Sequence, residues 1–461
     1  MQRSQTSAEG SLYELVARGV KDKYFFKDDK DSIHPFSWSY ERYPACIPEE
    51  RWTVPLNPPK FGQRCEFEFD LPGDVLMEAT LLIELPSWLP SELIPNARSV
   101  LTTDGSGNVF GYVNGIAYFL FEKIEIYQGK VLLQEVSGDS LYTAALTRGN
   151  LSHAFLTQQL AGMHDGSALS IMRNAVPGVL ELPLPMIGCS LPGDRGLPLC
   201  GLRDQTFRLR LTLRPLERLV ESNGSFTTPW NGIFTQGSTI VPAIPKDSIK
   251  QPTLTLRTKQ LYLNNEDRAK LATETIEIPY IRYFDNDFNI NQLDYASVQN
   301  GAAASIVRYL DASYTVERIL TYFRNTANIQ LNRLWNFSNS ASSDGQFYNN
   351  LSLTIAGKNR EELWPSTIWQ TIVGHAKEER TSLKNIAIMN WSRGWRIEDS
   401  IREPTGGINF TTADRPMLSI VLNDVIVNPV LGYKQVSMKS CCESWAIYKI
   451  RNRRGGLEYA N

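Results

Sequence analysis

The chain has 461 residues, more than one hydrophobic core usually serves, so its length predicts two or three structural units. With 42% hydrophobic and 21% charged residues, it has the composition of a globular protein and not of a disordered or fibrous one. A net charge of -2 gives the whole chain no electrostatic reason to bind nucleic acid, and no apolar run reaches the roughly 20 residues of a membrane-spanning helix.

The first half of the chain carries short segments of alternating or β-branched character, separated by frequent Gly and Pro. Strands are predicted at Phe67–Leu71, Thr80–Leu85, Lys123–Tyr127, Lys130–Leu133 and Phe207–Arg214. In the last of these, apolar side chains alternate with Arg and Thr, which is typical of a strand with one face on a core. Gln128 and Gly129 predict a hairpin turn between the third and the fourth.

The stretch from Glu221 to Pro252 is rich in Gly, Pro, Ser and Thr and predicts a linker over residues 236–252. A second series of strands is predicted at Thr253–Arg257, Gln260–Leu263, Thr275–Ile278, Leu351–Ile355 and Ser419–Leu422. Modest helical periodicity predicts short helices within Gly138–Leu160, Glu266–Ala272 and Ser366–Val373.

Two β-rich series in succession predict an all-β protein of two consecutive eight-stranded jelly rolls with long loops and a few short helices. Immunoglobulin-like sandwiches, of about 100 residues, are too short for either series. The predicted division is an N-terminal arm over residues 1–30, a first jelly roll over 31–235, the linker over 236–252 and a second jelly roll over 253–461.

Cysteine and histidine spacing argues against a metal or redox centre. The six cysteines, which include no C-x-x-C pair, are Cys46, Cys65, Cys189, Cys200, Cys441 and Cys442. Buried free thiols are predicted, and Cys441 and Cys442, as neighbours in a strand, would face opposite sides, with redox chemistry as the alternative. The four histidines are far apart and form no H-x-H or H-E-x-x-H set: His34, His153, His164 and His375.

Other motifs favour no chemistry either. Gly105–Gly111 lacks the Gly-Lys-Ser/Thr ending of a phosphate loop, and the adjacent acids Glu361 and Glu362 are more typical of a solvated face than of a glycosidase pair. Glycosylation sequons occur at Asn150, Asn223, Asn336, Asn350, Asn390 and Asn409, and none is assigned a glycan. We therefore predict no catalytic, cofactor-binding or metal-binding residue, and a protein that is not an enzyme.

Several separated stretches resemble the major capsid proteins of nucleocytoplasmic large DNA viruses, in the order in which that family carries them. Gly10–Tyr24 resembles the family's opening segment. Leu182–Pro185 and Gly196–Leu202, ahead of the strand at Phe207, resemble its proline-flanked segment, and Tyr262–Ala272 is similar to its strand and short charged helix.

The most specific part of this resemblance lies near the C-terminus. Pro404–Asp414 resembles the family motif Pro-Ser-Gly-x-x-Asn-Phe-Ser-x-x-Asp, and Gly456–Asn461 is similar to the family's Gly-Leu-x-Tyr-x-Asn ending. Two stretches depart from the family pattern: Arg451–Arg454 replaces Ser, Gly and Met-type residues, and Tyr43–Pro48 lacks a basic-aromatic opening. A minor capsid paralogue of the same fold therefore stays open beside the major subunit.

The resemblance implies a structural protein of the virion, a double jelly-roll subunit whose homotrimers have a nearly hexagonal outline and tile an icosahedral shell. Its implied partners are neighbouring capsomers and minor capsid and penton proteins, with assembly in the host cytoplasm. The amphipathic pattern of Leu12, Leu15, Val16 and Val20 in the N-terminal arm favours a simple packed helix, with contact to minor capsid proteins or an inner membrane as the alternative. Five tryptophans cluster in the second half, and we expect most of them to be core residues and about one in three to anchor such contacts. They are Trp335, Trp364, Trp369, Trp391 and Trp395. A jelly-roll carbohydrate-binding protein is the rival hypothesis.

Overall fold

The computed structural model of the chain describes residues 46–97, 99–147, 160–189, 196–202, 205–224, 228–230, 232–290, 305–338, 347–373, 385–392, 406–413, 415–423 and 436–458. The arm predicted over residues 1–30 lies outside them. The strands up to residue 263 are β1 (Cys46–Thr53), β2 (Arg64–Glu68), β3 (Val75–Glu84), β4 (Thr102–Asp104), β5 (Phe110–Tyr112), β6 (Phe121–Gln128), β7 (Val131–Val136), β8 (Val179–Pro183), β9 (Leu197–Pro198), β10 (Phe207–Leu213), β11 (Val220–Ser222), β12 (Ile233–Gln236), β13 (Thr239–Pro242) and β14 (Thr253–Leu263).

The later strands are β15 (Ile276–Ile290), β16 (Ser305–Tyr309), β17 (Thr315–Asn325), β18 (Tyr348–Ile355), β19 (Lys358–Pro365), β20 (Ala387–Asn390), β21 (Ile408–Asn409), β22 (Met417–Leu422), β23 (Val436–Arg451) and β24 (Arg454–Leu457). The α-helices are α1 (Ile116–Phe119), α2 (Gly138–Thr147), α3 (Ala168–Arg173), α4 (Asn265–Thr273) and α5 (Thr326–Gln330). Single helical turns occur at Ile94–Asn96, Leu199–Gly201, Leu216–Arg218, Lys246–Ser248 and Ile368–Ile372. Within the described ranges no helix is both long and apolar enough to cross a membrane.

Eight strands in each half repeat the same arrangement. In the first half the sheets have the orders β1-β14-β3-β8 and β2-β10-β6-β7, and in the second half β15-β23-β17-β20 and β16-β22-β18-β19. Numbered one to eight along the chain within each half, both pairs read 1-8-3-6 and 2-7-4-5. Two four-stranded antiparallel sheets with these crossovers form a jelly roll, so the predicted all-β double jelly roll is confirmed.

The strand β14 corrects one sequence-based assignment. We predicted that Thr253–Leu263 opens the second jelly roll, but it lies between β1 and β3, pairing Leu256 with both Thr53 and Leu81. The last strand of a jelly roll must return to lie beside the first, and here it does so after a connection of residues 214–252, part of which we predicted to be the linker. That connection instead carries β11, β12 and β13, and α4 follows the completed sheet.

Strand alternation accounts for the most regular elements. In β10 the side chains of Phe207, Leu209, Leu211 and Leu213 are buried while Arg208 faces solvent, as its sequence pattern predicts. The predicted hairpin is present, since β6 pairs with β7 and Gly129 between them has a φ of 56°, which favours glycine.

Two hydrophobic cores share one sheet. The larger core contains the interior of the first jelly roll together with side chains from β17 and β23, and the smaller core fills the second jelly roll. Consecutive residues of β23 point into different cores: Cys441 packs in the larger one and Cys442 in the smaller one. The sheet β15-β23-β17-β20 is therefore buried on both faces, and it joins the two halves as a shared wall.

The registers separate the first jelly roll into two ends, which we name the long-loop end and the short-turn end; the short-turn end carries the turns at residues 69–74 and 129–130 and also the longer connection of residues 184–206. Thr53, Glu84, Val179 and Thr253 lie at the long-loop end, where the connections of residues 54–63, 85–120, 137–178 and 214–252 begin or end. Cys46 pairs with Leu263 at the opposite end. The short-turn end is continued by α4 and by the hairpin of β23 and β24, because Ile450 of β23 pairs with Ile276, just after α4.

Candidate assembly surfaces and the junction between the jelly rolls

A buried cluster of charges centred on Asp139 joins the two jelly rolls. Asp139 on α2 lies 3.0 Å from Arg214 of the same half, 3.0 Å from Arg324 of β17 and 3.1 Å from Lys439 of β23. Burial alone would raise the pKa of this carboxyl, but the three cations hold the pKa well below its usual range. Asp139 is thus ionised, and it connects an α-helix of the first half to two strands of the second.

A second contact from α2 and the residue before it reaches β15. Ser140 Oγ donates to Asp285 Oδ1 at 2.5 Å, and the backbone N–H of Ser137 donates to Oδ2 at 2.8 Å. Polar contacts continue along the same boundary, where Tyr280 Oη donates to the carbonyl of Leu133 at 3.1 Å.

The shared sheet also contains a fully buried ion pair. Arg318 of β17 and Glu443 of β23 are both 0% exposed, and two guanidinium nitrogens donate to the two carboxylate oxygens at 2.8 and 2.9 Å. Such bidentate geometry compensates the desolvation of both charges and fixes the register of the two strands. This pair lies within the second jelly roll, in the sheet that both hydrophobic cores share.

His164, the histidine within the described residues, lies in a buried contact between the two halves. His164 Nε2 lies 2.6 Å from Glu221 Oε1, both side chains are buried, and Trp335 Nε1 donates to Glu221 Oε2 at 2.7 Å. This contact joins β11 to the segment after α5, again across the two halves. His34, His153 and His375 lie outside the described residues. Among the residues that are described, no group of three or more His, Cys, Asp and Glu side chains is placed to hold a metal ion.

The other motifs from the sequence occupy turns and strands. Asp104 Oδ1 accepts hydrogen bonds from the backbone of Ser106 and of Asn108, each at 2.8 Å, so the Gly105–Gly111 segment begins with a side-chain-closed turn. Glu361 on β19 accepts a hydrogen bond from Trp391 Nε1 at 2.7 Å, whereas Glu362 is exposed. As consecutive strand residues these two acids point to opposite sides and do not form a pair.

The six cysteines are free thiols in differing surroundings. Cys65, Cys441 and Cys442 are buried, Cys189 and Cys200 are partly buried, and Cys46 is exposed. Burial raises the pKa of Cys65 to about 11 and raises the pKa values of Cys441 and Cys442 as well. Thiols in such surroundings are poor nucleophiles at neutral pH.

The C-terminal motif is explained by its packing against β17. A Cβ on Gly407 would lie 2.6 Å from Thr315 Cγ2 and one on Gly406 would lie 2.3 Å from the carbonyl of Trp391, so both positions need glycine. Asn409 Oδ1 accepts from the backbone N–H of Thr411 at 3.0 Å, and Phe410 is buried in the smaller core. Asn409 therefore closes a turn with its side chain, while Pro404, Thr405 and Asp414 lie outside the described residues.

Large apolar side chains are exposed on the edge strand β1 and on the segment after it. Trp52, Val54 and Leu56 are 62%, 72% and 62% exposed and alternate along the chain, so we name these three residues the β1 stripe. Within the described ranges β1 pairs only with β14, which leaves its other edge without a strand. Sequence analysis missed the stripe, although the alternation in Trp52-Thr53-Val54-Pro55-Leu56 was visible.

Further exposed apolar residues lie on other strands. Ile233 and Ile240 are 48% and 66% exposed and lie on one face of the sheet β13-β12-β4. Trp364 on β19 is 43% exposed. The other described tryptophans of the predicted cluster are buried or bound: Trp369 Nε1 donates to the carbonyl of Leu351, and Trp335 and Trp391 bind glutamates. Trp395 lies outside the described residues.

Comparisons with known proteins identify the fold. No protein-family model matches the chain, and neither does any curated protein sequence. Among solved structures, the chain is similar to the capsid of the virus PBCV-1, with a TM-score of 0.67 and 15% identity over 93% of this chain and 100% of that one. It is also similar to the Faustovirus major capsid protein, with a TM-score of 0.63 and 9% identity over 95% and 96% of the two chains.

A third similar structure is that of the Sputnik virophage, with a TM-score of 0.53 and 11% identity over 95% of this chain and 92% of that one. These similarities span both halves of the chain and confirm the double jelly-roll fold. Because the sequence identities are 15% or lower, the similarities establish the fold and nothing further. The buried charges around Asp139 that join the two jelly rolls are an observation on this chain alone, and the comparisons do not bear on them.

Proposed function

We propose that this chain is a structural subunit of a viral capsid, a tile that assembles as a homotrimer with a pseudo-hexagonal outline. One observation carries the proposal: two jelly rolls with the same strand order are held together by a shared sheet and by the buried charges around Asp139. Three copies of such a rigid pair supply six similar lobes, which is the shape needed to tile a flat facet. The similarity to viral major capsid proteins supports the same function.

The proposal includes a division of the chain into domains, a set of partners and a location. We propose a first jelly roll that is completed by β14, a connection through α4, and a second jelly roll from β15 onward, preceded by an N-terminal arm. The proposed partners are further copies of the chain, minor capsid and penton proteins, and an inner membrane at the arm. The proposed location is the virion, after assembly in the host cytoplasm, with no enzymatic activity.

The test is the mass of the purified full-length protein at low micromolar concentration, measured by light scattering and paired with negative-stain microscopy. We expect a particle of three times 52.1 kDa with a six-lobed outline. A compact particle that stays at 52.1 kDa at all concentrations would contradict the homotrimeric tile. A minor capsid paralogue or a jelly-roll carbohydrate-binding protein would then become the leading hypothesis, and glycan binding would separate the two.

A further inference from the structure

A pocket at the short-turn end of the molecule is not used by the proposed tile function. It has a volume of about 550 Å³, within the range of binding pockets for small groups. Four parts of the chain meet there, namely the β2–β3 turn, the helical turn at Leu199–Gly201, α4 and the β23–β24 hairpin. The residues that matter for its chemistry are Leu71, Asp74, Leu199, Leu202, Arg268 and Arg453.

Arg453 reaches this pocket from an unfavourable backbone conformation. Arg451 pairs with Arg454, so Asn452 and Arg453 form a two-residue hairpin loop, and their φ values are 54° and 61°. A loop with two positive φ values strongly prefers glycine at its second position, as in the sequence Asn-Gly. An arginine there costs conformational free energy that folding alone does not require, and such strain is concentrated at functional sites.

The charges that line the pocket favour a singly charged anion over a doubly charged one. Asp74 is buried; its Oδ1 lies 2.9 Å from Arg268 Nε, and its Oδ2 accepts from the backbone N–H of Leu263 at 2.9 Å. Asp74 therefore offsets one of the two guanidinium charges, and Arg453 makes no ion pair with any described residue. Arg453 is exposed to solvent and Arg268 is 60% exposed, so the pocket carries a net cationic charge that a ligand can reach. A doubly charged phosphate would be repelled by the nearby Asp74 more strongly than a carboxylate would.

The polar groups that line the pocket favour a carboxylate as its ligand. Leu71, Leu199 and Leu202 line it beside the two arginines, and arginine forks bind carboxylates with two parallel hydrogen bonds. We propose that this pocket binds an acidic side chain of a partner polypeptide, with Arg453 as the binding group and Arg268 as a second donor. The proposal concerns the pocket alone and does not depend on the trimer.

The experiment measures binding of a fluorescent, end-blocked octapeptide of alternating Glu and Leu to the full-length protein by anisotropy. The matched peptide carries Gln in place of Glu, and inorganic phosphate is added as a competitor. We expect the Glu peptide to bind at least about tenfold more tightly than the Gln peptide, because a charge-assisted pair is lost in the latter. Equal binding of the two peptides, or displacement by phosphate at lower concentration than by unlabelled Glu peptide, would overturn the proposal.

Arg453→Gly separates binding from folding. Because glycine suits the left-handed loop, we expect its thermal midpoint to equal or exceed that of the wild type, while affinity for the Glu peptide falls at least about tenfold. Arg451→Gln is the matched control, since it removes the same charge from the same hairpin but does not line the pocket. If both variants weaken binding equally, the attraction is only the general charge of the hairpin, and the proposed site is wrong.

Discussion

At the scale of single residues, the junction between the jelly rolls depends on charges that burial makes expensive to leave unpaired. Asp139→Asn keeps the shape of the side chain but leaves Arg324 and Lys439 without their shared anion in a buried site. Removing one partner of a buried ion pair costs about 3–5 kcal/mol. For a folding unit of this size, that cost lowers the midpoint of thermal unfolding by roughly 3–6 °C.

The same residue predicts an acid-sensitive stability. The pKa of Asp139 is depressed in the folded protein, so its contribution is present above the unfolded-state pKa of about 4 and is lost as the pH falls toward the folded-state value. We therefore expect the thermal midpoint of the wild type to fall more steeply below about pH 4 than that of Asp139→Asn. Calorimetry across pH checks this.

Asp287→Asn is the matched control, because Asp287 also contacts Lys439, at 2.9 Å, but is 64% exposed. An exposed pair contributes at most about 1 kcal/mol, so this variant should unfold within about 1 °C of the wild type at neutral pH. If the two variants were equally stable, Asp139 would not be the anion that holds the junction together.

At the scale of elements, β14 decides where the first jelly roll ends. Leu256 is fully buried at the centre of β14, and Leu353 is fully buried in β18 of the second jelly roll. Each Leu→Ala change leaves a cavity and costs about 2–5 kcal/mol. Hydrogen exchange should show that Leu256→Ala speeds exchange mainly in β1 and β3, whereas Leu353→Ala speeds it mainly in β19 and β22.

These two variants are controls for each other, since the chemical change is the same and only its place differs. If Leu256→Ala instead accelerated exchange in β16, β18, β19 and β22 and left β1 and β3 unchanged, β14 would belong to the second jelly roll, as the linker composition first indicated.

At the scale of the whole molecule, the β1 stripe is an apolar surface that a single copy leaves exposed to solvent. Replacing Trp52, Val54 and Leu56 by serine removes exposed apolar area and leaves the cores unchanged, so the monomer should fold with an unaltered thermal midpoint. If the stripe is covered by another copy in the trimer, loss of its tryptophan alone costs about 2 kcal/mol, and the trimer should dissociate at concentrations at least about 30-fold higher than the wild type. Light scattering over a dilution series measures this.

Val131→Ser is the control for that experiment, because Val131 is 53% exposed on the β6–β7 hairpin and lies outside the stripe. It should assemble as the wild type does. A triple serine variant that remains trimeric at the same concentrations as the wild type would place the contact between copies elsewhere, with the exposed face around Ile233 and Ile240 as the next candidate.

Local sequence determined much of this fold, because alternation and turn residues act over a few neighbouring positions. The buried and exposed faces of β10, the turn at Gly129 and the opposite directions of Cys441 and Cys442 all follow from the two-residue period of a strand. The glycines at 406 and 407 were recognisable as part of a motif, although the close approach of β17 that requires them was not.

Only the tertiary structure decided the rest. Whether β14 closes the first jelly roll or opens the second depends on which strands lie beside it, and its own alternation is the same in either place. Asp139, Arg214, Arg324 and Lys439 come from four distant parts of the chain, so no local pattern announces their cluster. The exposure of Trp52 and the pocket beside Arg453 are likewise set by what the fold leaves uncovered, which depends on contacts between residues far apart in the sequence.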